Sequence, residues 1–407
     1  MMWLTLLGYE FKKMFHRKSF WISLVGVYLL LLLVNSMWIF GNVYVEGTQV
    51  ATSRQLARDE SQAGKKLNGL LLTNEVIQEA FREEAQFPGY TAEHFLEENR
   101  KALKSQKITE LFGNLMGSMG EGITETETGR SEADTDTPDY YQSWREYVRA
   151  SFSEEGLTPV ETAYWETSLE QVETPWRYAY NEAYGRFLNM QSMNLFLTAL
   201  AIVICLAPLF AQECTAKTDA LILSGKFGRQ EVFWAKITAG ILFSVLWSVL
   251  VYGSVLLEEI MIYGAGDLTV PIQTLPAFFG SAWQASVGSM LLILLLCSIL
   301  ASVLTALFAM LCSAGMKSAF GPVILGLILT FLPVFLGSVP RSFRSIYLIT
   351  QLLPGKFASV DSLFGGTLFS IGGLSLRAYE YIPIAYVGIG AACLLLAGYG
   401  YLKRRRV

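Results

Sequence analysis

Charge is scarce in this chain, and histidine is nearly absent. Only 16% of the 407 residues are charged, 52% are hydrophobic, and the two histidines, His16 and His94, lie far apart in different regions. Each reads as a lone solvated or interfacial side chain. No CxxC, Cys/His cluster or HExxH occurs, so a metal site of ordinary ligand spacing is not expected. No GxxxxGK[ST] loop is present: SGKFG at Ser224 to Gly228 lacks both the upstream glycine and the hydroxyl residue after Lys226. No GxSxG elbow is present either. The apolar runs hold almost no acid, which removes the paired aspartates of an intramembrane protease. They also lack the deep charges of an ion-driven transporter. No catalytic residue, cofactor-binding residue or metal ligand is assigned, and an enzyme is not expected. Cysteine is missing between Gly41 and Met190; the five present are Cys205, Cys214, Cys297, Cys312 and Cys393.

What is there is clustered apolar sequence, the mark of a lipid-embedded chain. Residues 1–18 are amphipathic. Trp3, Leu4, Leu6, Leu7, Phe11, Met14 and Phe15 alternate at helical spacing with Glu10, Lys12, Lys13, Arg17 and Lys18. The pattern suits an interfacial helix, the alternative being an ordinary basic flank. Residues 19–40 form the first run long enough to span, since about 20 apolar residues are needed. With no small-x-small cleavage site after it, it reads as an uncleaved anchor. Further runs follow at Asn194 to Ala211, Ile237 to Leu257, Ser281 to Leu311, Ala319 to Val339 and Pro383 to Leu402. Six spans are expected. Glu258 stands about 33 Å along a helix from Lys236, so Glu258 and Glu259 should emerge as solvated carboxylates at the far interface.

Residues 41–190 are different material, with an excess of about a dozen acidic residues. Asn74 to Phe112 shows helical spacing, Gly117 to Asp139 reads as a flexible loop, and Tyr140 to Leu188 is rich in aromatics. This supports a mainly helical domain whose aromatics form a core and a membrane belt rather than a ligand cage. Pro340 to Ile382 mixes charge with bulky apolar residues and suits short helices in one leaflet. With the N-terminus inside, Lys12, Lys13, Arg17, Lys18, Lys217, Lys226, Arg229, Lys236, Lys317 and the terminal KRRR all fall on the cytoplasmic side. Residues 41–190 fall outside, and their lack of cysteine means folding without disulfides. The fold class is therefore an all-α polytopic membrane protein: six transmembrane helices, an N-terminal interfacial helix, a large extracytoplasmic domain between helices 1 and 2, and short outer-leaflet helices between helices 5 and 6.

The polar stretch between the second and third runs organises the rest. It carries Glu213, Thr215, Lys217, Thr218 and Asp219, then Leu221 to Leu223, then Ser224, Gly225 and Gly228, and restarts with Arg229, Gln230, Glu231 and Lys236. It resembles the cytoplasmic loop of type-2 ABC transporter permeases, the membrane subunits that work with a separate ATPase. That family has a Glu ending the second helix, a GT-like pair, a leucine-rich stretch, a turn with Arg, and a Lys opening the third helix. Here these are Glu213, Thr218, Leu221 to Leu223, Arg229 and Lys236. Lys217 stands where the family has Gly, and Lys226 and Phe227 where it has Pro.

The resemblance implies a permease subunit of an ATP-driven exporter in a bacterial plasma (inner) membrane, with both termini cytoplasmic. Its partners would be an ATP-binding subunit, which carries ATP and Mg, a second permease chain and the lipid bilayer; no nucleic acid is expected. Residues 191–407 would hold helices 2–6, with a coupling loop at 212–236. In that loop Glu213, Thr218, Asp219, Leu221, Leu223, Arg229, Glu231 and Lys236 would meet the ATPase. A short helix joining two spans can pass on the partner's closing as a rigid-body shift. An amphipathic or hydrophobic cargo suits a pathway without deep charges. The alternative is a membrane-anchored sensor or assembly factor whose outer domain binds a ligand.

Overall fold

The structure is a computed structural model that describes residues 2–87, 90, 93–123, 138–218, 230–318, 320–336, 339–341, 343–371 and 374–403. In chain order the elements are α1 (Met2–Phe15), α2 (Lys18–Ser36), β1 (Asn42–Val45), β2 (Thr48–Thr52), α3 (Ser53–Lys66), α4 (Asn74–Ala85), α5 (Phe95–Ile123), α6 (Tyr140–Glu154) and α7 (Pro159–Glu170). Then come α8 (Glu182–Leu206), α9 (Pro208–Thr215), α10 (Gln230–Tyr263), α11 (Val287–Gly315), α12 (Phe320–Leu336) and α13 (Arg344–Gln351). The chain continues with α14 (Pro354–Phe357), α15 (Val360–Phe364), β3 (Phe369–Ile371), β4 (Leu374–Leu376) and α16 (Ala378–Lys403). Helix dominates because the apolar runs must satisfy their own backbone groups, which a single helix does internally.

Among the described residues, five helical stretches are long and apolar enough to cross a membrane: Lys18–Phe40, Glu182–Thr215, Gln230–Tyr263, Val287–Gly315 and Ala378–Tyr401. The expected fifth run, Ala319 to Val339, gives the shorter apolar helix α12, 17 residues with Pro333 inside it. Several boundaries differ from expectation. The fourth run, expected at Ser281 to Leu311, is a helix from Val287 to Gly315. Residues 117–123 belong to α5 rather than to a loop, while 124–137 lie outside the described residues. Among the described residues, two small antiparallel strand pairs add to the mainly helical structure. In β1–β2 the two turn residues Glu46 and Gly47 both have positive φ, 50° and 80°. That is the backbone of a two-residue primed turn, whose twist matches the strands. The Glu-Gly pair between Val-Tyr-Val and Thr-Gln-Val was a readable hairpin signal.

The chain divides into two compact units. The first comprises Met1–Val34, Met190–Val255 and Ile293–Val407. Small residues set its close helix approaches. A Cβ on Gly326 would run into Val203, and one on Gly240 would run into Met310, so glycine lets these backbones meet. The stretch Glu182–Thr215 is the most enclosed span, with 72% of its most apolar window buried, against 11% for Lys18–Phe40. The latter leaves Ile22, Leu29 and Leu33 exposed, as a lipid-facing helix would.

The second unit comprises Asn35–Asn189 and Leu256–Leu292. Its core is aromatic, as the sequence suggested. The Trp144 and Trp176 rings meet edge-on at 4.9 Å, Phe112 stacks on Trp176 at 5.9 Å, and Phe279 meets Phe112 at 5.3 Å. Edge-to-face contacts of this kind place positive ring edges on negative faces. Two of its polar tips are also employed. Trp144 Nε1 donates to the Phe279 carbonyl at 2.6 Å, and the Tyr141 hydroxyl donates to the Leu72 carbonyl at 2.6 Å while accepting from the Trp176 amide at 3.0 Å. Helix α7 opens with a capping box: Thr158 and Glu161 satisfy each other's backbone amides, and Pro159 takes the first helical position.

The second unit also corrects one expectation. Glu259 is not solvated: it is 2% exposed, while its neighbour Glu258 is half-buried. The helix runs on to Tyr263, so these acids lie within its last turns, and Glu259 is packed there rather than projecting into water.

Candidate functional site

Two of the loop residues singled out in the sequence, Glu213 and Lys236, meet in the first unit at 2.8 Å. Helix α9 carries Glu213 and helix α10 carries Lys236, so the contact closes the base of the loop between them. A third element joins them. Glu10 of α1 accepts from Lys236 at 2.8 Å, and Lys13 touches Glu10 at 3.0 Å and Glu213 at 3.1 Å. Each ammonium therefore touches both carboxylates, and the four charges alternate around a closed, formally neutral ring.

Lys236 is 1% exposed, which is tolerable only because its three N–H donors all find acceptors. These are Glu10, Glu213 and the Leu209 carbonyl, the last at 3.1 Å. Its ammonium also lies 5.5 Å from the centre of the Phe210 ring, a favourable position for a cation. Phe210, Phe233 and Tyr401 form an aromatic cluster there, with centroids 5.5 to 5.9 Å apart.

Burial pushes the Glu10 carboxyl up, but Lys236 and Lys13 outweigh it and hold the group below its ordinary value. Burial pushes the Lys13 ammonium down, and Glu10 with Glu213 outweighs it and raises the group. Both charged forms are therefore the ones the ring favours.

Sequence reasoning missed Glu10, Lys13 and Arg17 as members of this site. It placed them among the charged residues of an interfacial helix. Glu10 is instead 4% exposed, next to Met14 at 1%, while Trp3, Leu4 and Phe15 are exposed. Glu10, Lys13 and Arg17 follow the i, i+3, i+7 spacing of one helix face. The readable signal was the single acid in that basic helix, placed to pair with Lys13.

Arg17 continues the attachment. Its guanidinium donates to the Cys205 carbonyl at 2.8 Å and to Gln212 at 3.4 Å. Cys205 lies in the last turn of α8, where free carbonyls and the helix dipole both attract a cation. Pro208 explains why α8 stops there: it has no N–H to give and is suited to the first position of a new helix. The opening amides of α9 would then be orphans. Ser313 Oγ of α11 accepts two of them, Phe210 N at 2.9 Å and Ala211 N at 3.0 Å.

Helix α9 ends in a matching way. The Lys217 amide donates to Cys214 O at 3.1 Å and the Thr218 amide to Glu213 O at 3.0 Å. Lys217 has φ of 54°. This is a helix stop of the Schellman type, whose left-handed position favours glycine. Lys217 occupies the place where the resemblance has glycine. Thr218 is thus a capping residue of α9, and Glu231 sits half-buried in the first turn of α10, where a carboxylate suits the helix dipole. Asp219, Leu221, Leu223 and Arg229 lie outside the described residues.

No family model matches the chain. It is 28% identical over 210 residues to the uncharacterized membrane protein YdbK of Bacillus subtilis (strain 168); the match covers 48% of this chain and 76% of that protein. With five helical stretches of spanning length beside that likeness, the localisation is decided. This is a multi-pass membrane protein. Within it, the charge ring links the N-terminal helix to both flanks of one inter-span loop, and does so among spanning helices where unpaired charge is costly.

Proposed function

We propose that this chain is the permease subunit of an ATP-driven exporter of the type-2 ABC kind. It moves an amphipathic or hydrophobic cargo and is worked by a separate ATP-binding subunit through the loop 212–236. The observation that carries this reading is the Glu10–Lys13–Glu213–Lys236 ring. A loop that merely connected two spans would need no such fastening. With its ends bound to each other and to α1, a push on the loop moves α1, α9 and the start of α10 together, as a lever requires. Loop and termini face the cytoplasm in this reading, residues 41–190 face outward, and a second permease chain completes the pathway.

The test is purification of the full chain from its native membrane, followed by assay of ATP-coupled export. A Walker-motif ATPase is expected to co-purify, and the paired change Arg229→Glu with Glu231→Arg is expected to lower both its recovery and export. Full export with the loop scrambled would overturn the reading, as would a label on the loop that is accessible only from outside the cell.

A further inference from the structure

A cavity of about 180 Å³ lies in the first unit between α8, α11, α12 and the segment 354–361. Its lining combines apolar Phe196, Leu329 and Pro333 with polar Thr305, Thr330 and Ser359. Lys356 and Asp361 stand at the same cavity, half-buried and exposed respectively. Neither side chain has an ion-pair partner among the described residues. Two opposite charges beside one cleft, not neutralising each other, leave both to an occupant.

The backbone adds to this. Pro333 has no N–H, so the Leu329 carbonyl one turn earlier has no donor within its helix. Broken helices are tolerated at membrane depth where they line a cavity. Gly355 packs against Pro333, and a Cβ there would stand 3.1 Å from the proline Cγ. The Thr305, Thr330 and Ser359 hydroxyls donate to the carbonyls of Ala301, Gly326 and Lys356 at 2.7 to 2.8 Å. Their hydrogens are committed, so toward the cavity their oxygens can only accept. The acceptors call for a cationic donor, and Lys356 calls for an anion. In volume the site slightly exceeds an apolar protein cavity of about 150 Å³ that holds benzene. It admits a headgroup or one acyl end, not a whole lipid.

We infer that this cavity is a headgroup site for a zwitterionic membrane lipid, whose phosphate pairs with Lys356 and whose ammonium meets Asp361 and the hydroxyl oxygens. The role of the site in cargo selection rests on the permease reading; the binding itself does not.

The test uses the full chain in nanodiscs of equal phosphatidylethanolamine and phosphatidylglycerol, with the lipid retained on transfer to detergent read by mass spectrometry. Phosphatidylethanolamine is expected to be retained about tenfold over phosphatidylglycerol, the effect of one ion pair in a partly buried site. Lys356→Glu or Asp361→Lys alone should erase the preference. The two together should restore it, because a zwitterion can bind reversed. On the wild-type chain, where folding is not in question, N-acetylated phosphatidylethanolamine keeps the phosphate and loses the cation; it should be retained about tenfold less. Equal retention of the two, or a preference for phosphatidylglycerol, overturns the site. Loss of lipid preference with the ATPase still co-purifying overturns the site alone. Preference intact with no ATPase partner overturns the permease reading alone.

Discussion

Lys236 and Glu10 are separated by 226 positions in sequence and meet at 2.8 Å, both side chains almost fully buried. Such a pair is costly to form and more costly to break. Its desolvation is repaid only while both partners are present, and removing one strands the other. Lys236→Met is therefore expected to lower the stability of the detergent-solubilised chain by about 3–5 kcal/mol. Lys13→Met should cost only about 0.2–1 kcal/mol, because the Lys13 side chain is 52% exposed and water screens its contacts. Adding Glu10→Gln to Lys236→Met should recover part of the loss. Unfolding in denaturant, followed by reaction of the buried cysteines, measures all three.

The same ring sets a pH window. Glu10 is held below its ordinary 4.5 when folded, so its contribution is complete above that value and is lost as pH falls through the folded one. Lys13 is raised above 10.5; its contribution is complete below that value and is lost as pH rises through the folded one. The stability difference between the wild-type chain and Glu10→Gln should be flat between 4.5 and 10.5 and should shrink on acidification. Unfolding midpoints measured from pH 10.5 down to well below 4.5 decide it: a difference that grew in acid would mean that Glu10 is not held as a carboxylate by the lysines.

Lys217 offers a gain instead of a loss. A non-glycine residue in the left-handed region costs roughly 1 kcal/mol or more relative to glycine. Its φ of 54° ends α9 just before the loop. Lys217→Gly should raise stability by about 0.5–1 kcal/mol, the gain being cut by glycine's greater freedom in the unfolded chain, and Lys217→Val should lower it, since a β-branched side chain resists positive φ more strongly. Thermal unfolding of the two variants against the wild-type chain should move in opposite directions.

These particulars show what the sequence could carry. The spans were legible because about 20 apolar residues in a row have few other uses. The aromatic core of residues 140–188 was legible from its density of Trp and Tyr. Glu213 and Lys236 were marked by their places at the two ends of a polar stretch. Their partners on α1 were not. In water the apolar face of an amphipathic helix turns inward; here Leu4 and Phe15 are exposed and Glu10 is enclosed, because lipid leaves apolar faces no reason to hide. Glu259 was misplaced for a related reason. Counting rise per residue gives a depth along the span, but it does not say which neighbours cover the helix end.

Trp144 gives the last test, in the second unit. It is fully buried, meets Trp176 at 4.9 Å and donates its indole N–H to the Phe279 carbonyl at 2.6 Å. Two losses can be separated there. Trp144→Phe keeps most of the ring area but removes the donor, leaving a buried carbonyl unpaired at a cost of about 1–3 kcal/mol. Trp144→Ala also opens a cavity, for about 3–5 kcal/mol in all. If the hydrogen bond matters as the geometry says, the phenylalanine variant should already show a large part of the alanine loss. Were it indistinguishable from the wild-type chain in denaturant unfolding, ring packing alone would hold this core, and the 2.6 Å contact would contribute nothing to stability.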